Sequence, residues 1–160
     1  MTMTSRTDGS ADQPMMERAV VAIHTLERYG IPLVDLFFRV LIFRAFFNAG
    51  LTKISDWDNT LVLFEYEYMV PLLDHVHAAY LATAAELVMS CLILAGLLTR
   101  LAAIPLLAMA LVIQFVLGAT NPAYSNVEHF YWMAILLMLI VRGPGPLSLD
   151  RLLRGRLGIG

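Results

Sequence analysis

The sequence predicts an all-α polytopic membrane protein: an antiparallel four-transmembrane-helix bundle with an N-terminal interfacial amphipathic helix. Three observations predict it. Of 160 residues, 59% are hydrophobic and only 15% are charged, against roughly 25% charged in soluble domains, and the mean hydropathy is +0.70. Four apolar stretches, about 34–54, 76–97, 100–119 and 127–142, approach the roughly 20 residues needed to cross a hydrocarbon core. The first and second of these keep Arg44 and Glu86 near their centres, where a charge normally turns toward a bundle interior and a partner.

The elements follow in chain order. Residues 1–14 are polar and without apolar periodicity, and read as a disordered cytoplasmic tail. They lack the basic start, apolar core and small-residue cleavage site of a signal peptide, so span one is expected to act as an uncleaved insertion signal. Residues 15–30 set Val20, Val21, Ile23 and Leu26 among Glu17, Arg18, Glu27 and Arg28. That pattern predicts an amphipathic helix at the membrane surface, closed by Gly30 and Pro32. Residues 31–153 hold the four spans, of which 127–142 is the shortest. Gly143-Pro144-Gly145-Pro146 is too short and proline-bound to cradle phosphate, and reads as the stop of span four with Arg142 as its anchor. Residues 154–160 form a second cytoplasmic tail.

Orientation follows from Lys and Arg in the short loops. Arg18 and Arg28 precede span one, Arg100 lies between spans two and three, and Arg142, Arg151, Arg154 and Arg156 follow span four. The loop from Ser55 to His75 has neither residue, and carries Asp56, Asp58, Glu65, Glu67 and Asp74 instead. Both termini are therefore expected in the cytoplasm and the acidic loop outside, in a multi-pass protein of a bacterial inner (plasma) membrane surrounded by lipid.

Several function classes are excluded. A net charge of −2 with no basic stripe disfavours nucleic acid. The lone Cys91 allows no internal disulfide, CxxC redox pair or cysteine-rich metal site, and reads as packing. There is no nucleotide loop, serine-histidine-acid set or zinc-peptidase helix.

A polar site inside the bundle is what the remaining residues predict. At 1.5 Å per residue, Arg44 lies roughly 15 Å inside span one, with Glu86 at a similar depth. Arg44 and Asn48 are four apart and share a helix face. Arg39 and Lys53 stand about 140 degrees or more from Asn48 around that helix, and are expected to snorkel to the headgroups. Ala78, Ala82, Glu86 and Ser90 make a small-residue seam that turns Glu86 toward protein. Arg44 and Glu86 then form either a structural ion pair or the floor of an outward pocket, with Asn48, Gln114 and His129 above. Trp57, Tyr66, Tyr68, Tyr124, Tyr131 and Trp132 gather near the outward interface and supply either an aromatic belt or a stacking wall. His75, His77 and His129, near acidic side chains at the outward ends of spans two and four, are a candidate set for zinc or copper.

The chain resembles the DoxX family of four-helix membrane proteins. The likeness rests on RVLIFRAFFNAGLTKI with Arg39, Gly50 and Lys53, on ELVMSCLILAGLLTRLAA with Glu86, Gly96, Thr99 and Arg100, and on RGPGPLSLDRLL from Arg142 to Leu153. The segment Phe64 to Leu73 is similar to a subgroup associated with modification systems for small metal-binding peptides. Arg44 and Asn48 stand where that family's pattern is usually apolar, and Ser90 where it has glycine. The resemblance implies a quinone-linked redox role beside a partner protein. Arg44, Asn48 and Gln114 would hold a quinone, Glu86 or His129 would relay protons as the catalytic groups, and Tyr131 or Trp132 would stack. The alternative is a non-enzymatic binder or transporter of a metal ion or small solute in metal or oxidative stress. Either form is expected to be capable of homo-oligomer formation.

Overall fold

The structure, a computed structural model, describes residues 12–70 and 73–157. Most of the expected tail over 1–14, Pro71, Leu72 and residues 158–160 lie outside the described residues. Every element among those described is helical: α1 (Asp12–Thr25), α2 (Ile31–Ser55), α3 (Trp57–Leu63), α4 (His75–Ala95), α5 (Thr99–Leu111), α6 (Gly118–Thr120), α7 (Val127–Arg142) and α8 (Leu149–Leu157).

The first helix does not close at Gly30. A π-helical turn over Leu26–Gly30 joins α1 to α2, and Gly30 keeps helical angles of φ −72° and ψ −45°. Pro32 has no N–H to give and would press on the carbonyl four residues earlier in a regular helix. The wider turn removes that conflict without breaking the rod. A second π-helical turn, Val112–Leu117, joins α5 to α6, so the helix runs from Thr99 to Thr120. The expected acidic loop is helical as well. Asp56 accepts from the Asn59 N–H at 3.2 Å to start α3, and a π-helical turn follows over Phe64–Tyr68.

The helices His75–Ala95 and Thr99–Thr120 are each long and apolar enough to cross a membrane. Four charged residues, Asp35, Arg39, Arg44 and Lys53, interrupt α2. The 16 residues of α7 reach only about 24 Å. Packing nevertheless joins all four long helices: α2 lies on α4, α4 on α5, α5 on α7, and α7 touches α2. Their shared core holds Ile42, Phe46, Ile93, Leu106, Leu136 and Leu139, with Ala102, Ala103 and Ala110 letting backbones approach closely.

One end of the molecule is held by a clasp around Arg39. This side chain does not snorkel: it is 1% exposed, donating through Nη1 to the Leu94 carbonyl at 3.3 Å and through Nη2 to the Leu147 carbonyl. The segment after α7 thereby folds back over α2 and the α4–α5 turn. That turn is a Schellman motif, in which Gly96 N–H meets Ile93 O at 3.0 Å and Leu97 N–H meets Leu92 O at 2.9 Å. Gly96 sits at φ +69°, and a Cβ there would meet the Arg39 guanidinium and lie 2.9 Å from Ser148 Cα. Asp150 completes the clasp, its N–H bonded to Gly96 O at 3.1 Å and its Oδ1 accepting from Leu98 N at 3.1 Å. Asp35 is buried beneath, 3.8 Å from Arg142 Nη2.

Candidate functional site

A lysine turns out to be the partner of Glu86. Lys53 Nζ donates to Glu86 Oε1 at 2.7 Å and Oε2 at 2.8 Å, with the Glu86 side chain 3% exposed. Three local features deliver Lys53 to this spot. Residues Asp35, Arg39, Ile42, Phe46 and Gly50 are the buried stripe of α2, and Lys53 continues it by three residues, one turn onward. Gly50 brings the helices together, since a Cβ there would lie 2.8 Å from Leu87 Cγ and 3.3 Å from Glu86 Cβ. Buried Thr60 then fixes the α2–α3 corner, its Oγ1 donating to the Lys53 and Asp56 carbonyls at 3.0 Å each.

The pair forms the polar floor of a cavity of about 380 Å³ between α2, the Phe64–Tyr68 turn, α4 and α5. Lys53, Glu86 and Tyr68 are its polar side chains, and Phe64, Leu81, Pro105, Met109, Ile113 and Leu117 are among its apolar ones. Small-molecule sites typically occupy about 300–1,000 Å³ with few polar groups in an apolar lining. Tyr68 is half-buried and edge-on to Phe64, 4.9 Å between ring centroids, with Tyr124 at 5.9 Å. The Tyr124 hydroxyl donates to the Glu67 carboxylate, closing this rim against the α6–α7 connection.

Burial, and then the negative charges of Glu67 and Glu86, hold the Tyr68 phenol above its ordinary value of 10.0. The unfolded chain would therefore ionise first as pH rises. The stability carried by the neutral phenol is fully present below pH 10 and is lost as pH climbs toward the folded value. A spectrophotometric titration of tyrosinate should show a step above pH 10 that is missing from Tyr68→Phe.

The residues anticipated to line the pocket divide into three groups. Glu86 lies in the cavity, but with Lys53 in place of Arg44. Arg44 and Asn48 share a face as expected, and that face is exposed, as is Tyr131. Gln114, His129 and Trp132 meet one another elsewhere. Gln114 Oε1 accepts from the Asn126 N–H at 3.1 Å and is 2.9 Å from His129 Nδ1, while its Nε2 donates to Ser125 Oγ at 2.9 Å. His129 packs on Trp132 at 5.0 Å and Trp132 on Phe46 at 5.7 Å. This cluster ties the end of α5 to the start of α7.

The three-histidine metal set is not assembled. His75 and His77 both turn to Asp74, at 3.5 and 3.2 Å, while His129 is held by Gln114. Among the described residues no three His, Cys, Asp or Glu side chains converge as a metal-holding group. The hydrogen bond from His77 keeps the Asp74 carboxyl below the usual carboxylate range, and Asp74 also caps α4 through the Val76 N–H at 3.1 Å. Of the polar cavity residues, Lys53 is the one that sequence reasoning placed elsewhere, and Tyr68 was anticipated only as a member of the aromatic cluster.

No curated protein and no solved structure matches the chain. The DoxX family profile matches residues 34–119, from the buried stripe of α2 through α5 and α6. That stretch is more than half of the 160 residues, and contains Arg39, Gly50, Lys53, Glu86 and Gly96. With its apolar helices, this chain is a membrane protein and belongs to the DoxX family.

Proposed function

We propose that this chain is the quinone-binding subunit of a membrane redox system, and that the Lys53–Glu86 cavity is its site. In this reading α2, α4, the Thr99–Thr120 helix and α7 all cross the bilayer. Both termini are cytoplasmic by the arginine asymmetry, and the cavity faces the outer side of a bacterial inner membrane. Burial of Asp35 and Arg39 in the clasp and the pairing of Lys53 with Glu86 leave Arg44 as the one charge on the outer face of α2. That makes α2 a reasonable span.

The observation that carries the proposal is an ammonium–carboxylate pair at the floor of an apolar cavity. A planar headgroup with carbonyl oxygens matches it, because the cavity is apolar along its walls and offers charged hydrogen-bond donors at one end. Lys53 has three N–H donors, two of which go to Glu86. The third is available to a ligand oxygen. Glu86 is the proton-accepting group beside it, and Tyr68 narrows the entrance. A bound quinone supplies the capacity to take up two electrons and two protons. The electrons would come from a partner redox protein docked on the acidic outer face, and the proton sites at the floor are Lys53 Nζ and the Glu86 carboxylate.

The test is binding of a short-tailed water-soluble quinone to the purified protein in mild detergent, read by native mass spectrometry. Lys53→Gln should weaken binding about tenfold or more, the worth of one charged hydrogen bond. Loss of binding in Arg44→Gln with Lys53→Gln unaffected would overturn the cavity assignment. Binding that is never accompanied by quinone reduction, whatever membrane donor is supplied, would instead make the chain a non-enzymatic binder of small solutes.

A further inference from the structure

A second cavity, of about 570 Å³, lies at the clasp, far along the helices from Glu86, and its lining is basic. Arg100, Arg142 and Arg151 stand in its wall against a single carboxylate, Asp150. That carboxylate is already engaged with the Leu98 N–H. Beneath the wall lie buried Arg39 and buried Asp35, the latter in an ion pair with Arg142, so the site holds four arginines against two carboxylates. Arg142 is engaged by the ion pair with Asp35 at 3.8 Å, whereas Arg100 spends one N–H on the Val141 carbonyl at 3.3 Å and Arg151 is exposed, which leaves most of their donors for a ligand. Each guanidinium carries five N–H donors in a planar fork suited to phosphate oxygens. Pro144 and Pro146 supply no backbone N–H, so the arginine side chains are the principal donors of this wall.

We propose that this cavity binds the phosphate of an anionic phospholipid. Phosphate is the chemistry that three forked cations select, and the rim indicates that it arrives on a lipid. Leu98 and Leu101 line the same cavity while 54% and 64% exposed, and Leu147, Leu149 and Leu152, neighbours in sequence of its lining residues Pro146, Ser148, Asp150 and Arg151, are exposed as well. A site for a free anion has no use for exposed leucines around its mouth, whereas a lipid places acyl chains there. The helix α8 strengthens the case, because Leu149, Leu152 and Leu153 alternate with Asp150, Arg151 and Arg156 as in helices that lie in a headgroup layer. Basic pockets between helices at one membrane face are a recurrent way of holding acidic headgroups.

The experiment titrates the full chain in mild detergent with phosphatidylglycerol, with phosphatidylcholine of the same acyl chains, and with inorganic phosphate. Retained lipid is read by native mass spectrometry and stabilisation by melting temperature. Phosphatidylglycerol should be retained and should raise the melting temperature. Arg151→Gln should weaken it about fivefold and the double substitution Arg100→Gln with Arg151→Gln about thirtyfold, with Arg18→Gln unchanged. Should the double variant melt below the wild type without lipid, the exposed Arg151→Gln alone decides. Equal retention of phosphatidylcholine would overturn the proposal in favour of nonspecific ring lipid. Inorganic phosphate binding as tightly as phosphatidylglycerol would overturn the lipid source, and undiminished retention by Arg151→Gln would overturn the site.

Discussion

Lys53→Met should destabilise the protein by about 3–5 kcal/mol in a detergent unfolding series, as expected when one member of a buried ion pair is removed. Glu86 would keep its place, 2% exposed, with its two short hydrogen bonds gone. Pairing that change with Glu86→Leu should recover most of the loss, because a well-packed apolar pair often matches a buried ion pair in stability. Quinone binding should not return with it. The double variant therefore separates the two roles of the pair: stability that stays low in it would show that the two Lys53–Glu86 hydrogen bonds, and not the avoidance of a lone buried charge, hold α2 on α4.

Sequence reasoning found Glu86 and missed its partner for a physical reason. In a soluble helix the apolar stripe marks the inner face. In the proposed membrane-spanning arrangement both surroundings of α2 are apolar, so residues facing the core and residues facing outward are chemically alike. Arg44 and Asn48 were the most central polar pair, and centrality made them look internal. The usable signal was the spacing Asp35, Arg39, Ile42, Phe46, Gly50, Lys53, alternating three and four residues, in which one glycine marks close approach of another helix. On α4 the small-residue seam Ala78, Ala82, Glu86, Ser90 was legible, and Ala78, Glu86 and Ser90 are buried as expected. The helix positions were also readable from hydropathy. The π-helical turns were not, because they answer to local packing around Pro32 and along α5. The pairing of His75 and His77 with one aspartate was hidden too, since it depends on where α4 begins.

Arg39→Met should be nearly as damaging, at about 3 kcal/mol or more. It would strip the donors from the Leu94 and Leu147 carbonyls and remove the positive charge nearest Asp35 on its own helix, leaving Asp35 with the Arg142 ion pair at 3.8 Å. The change should be local in its visible effect. Limited proteolysis should cut between residues 143 and 149 far faster than in the wild type, while the α4–α5 pair stays protected. Arg39→Lys should not restore resistance, because a single ammonium lacks the planar fork that reaches two carbonyls on different segments. Unchanged cleavage in Arg39→Met would mean that Asp150 and the Gly96 backbone suffice to hold the clasp.

The clasp also bears on how the chain is made. Arg39 emerges early in synthesis, yet one of its acceptors lies 108 residues further on. Until the last segment has been translated, the guanidinium has only part of its final bonding, and the first long helix cannot settle as an independent unit. With α2 spanning the bilayer as proposed, membrane integration should then be a late, concerted event in which the insertion machinery retains the early helix until Leu147 arrives. Truncation after α7 should yield a product that inserts but turns over rapidly.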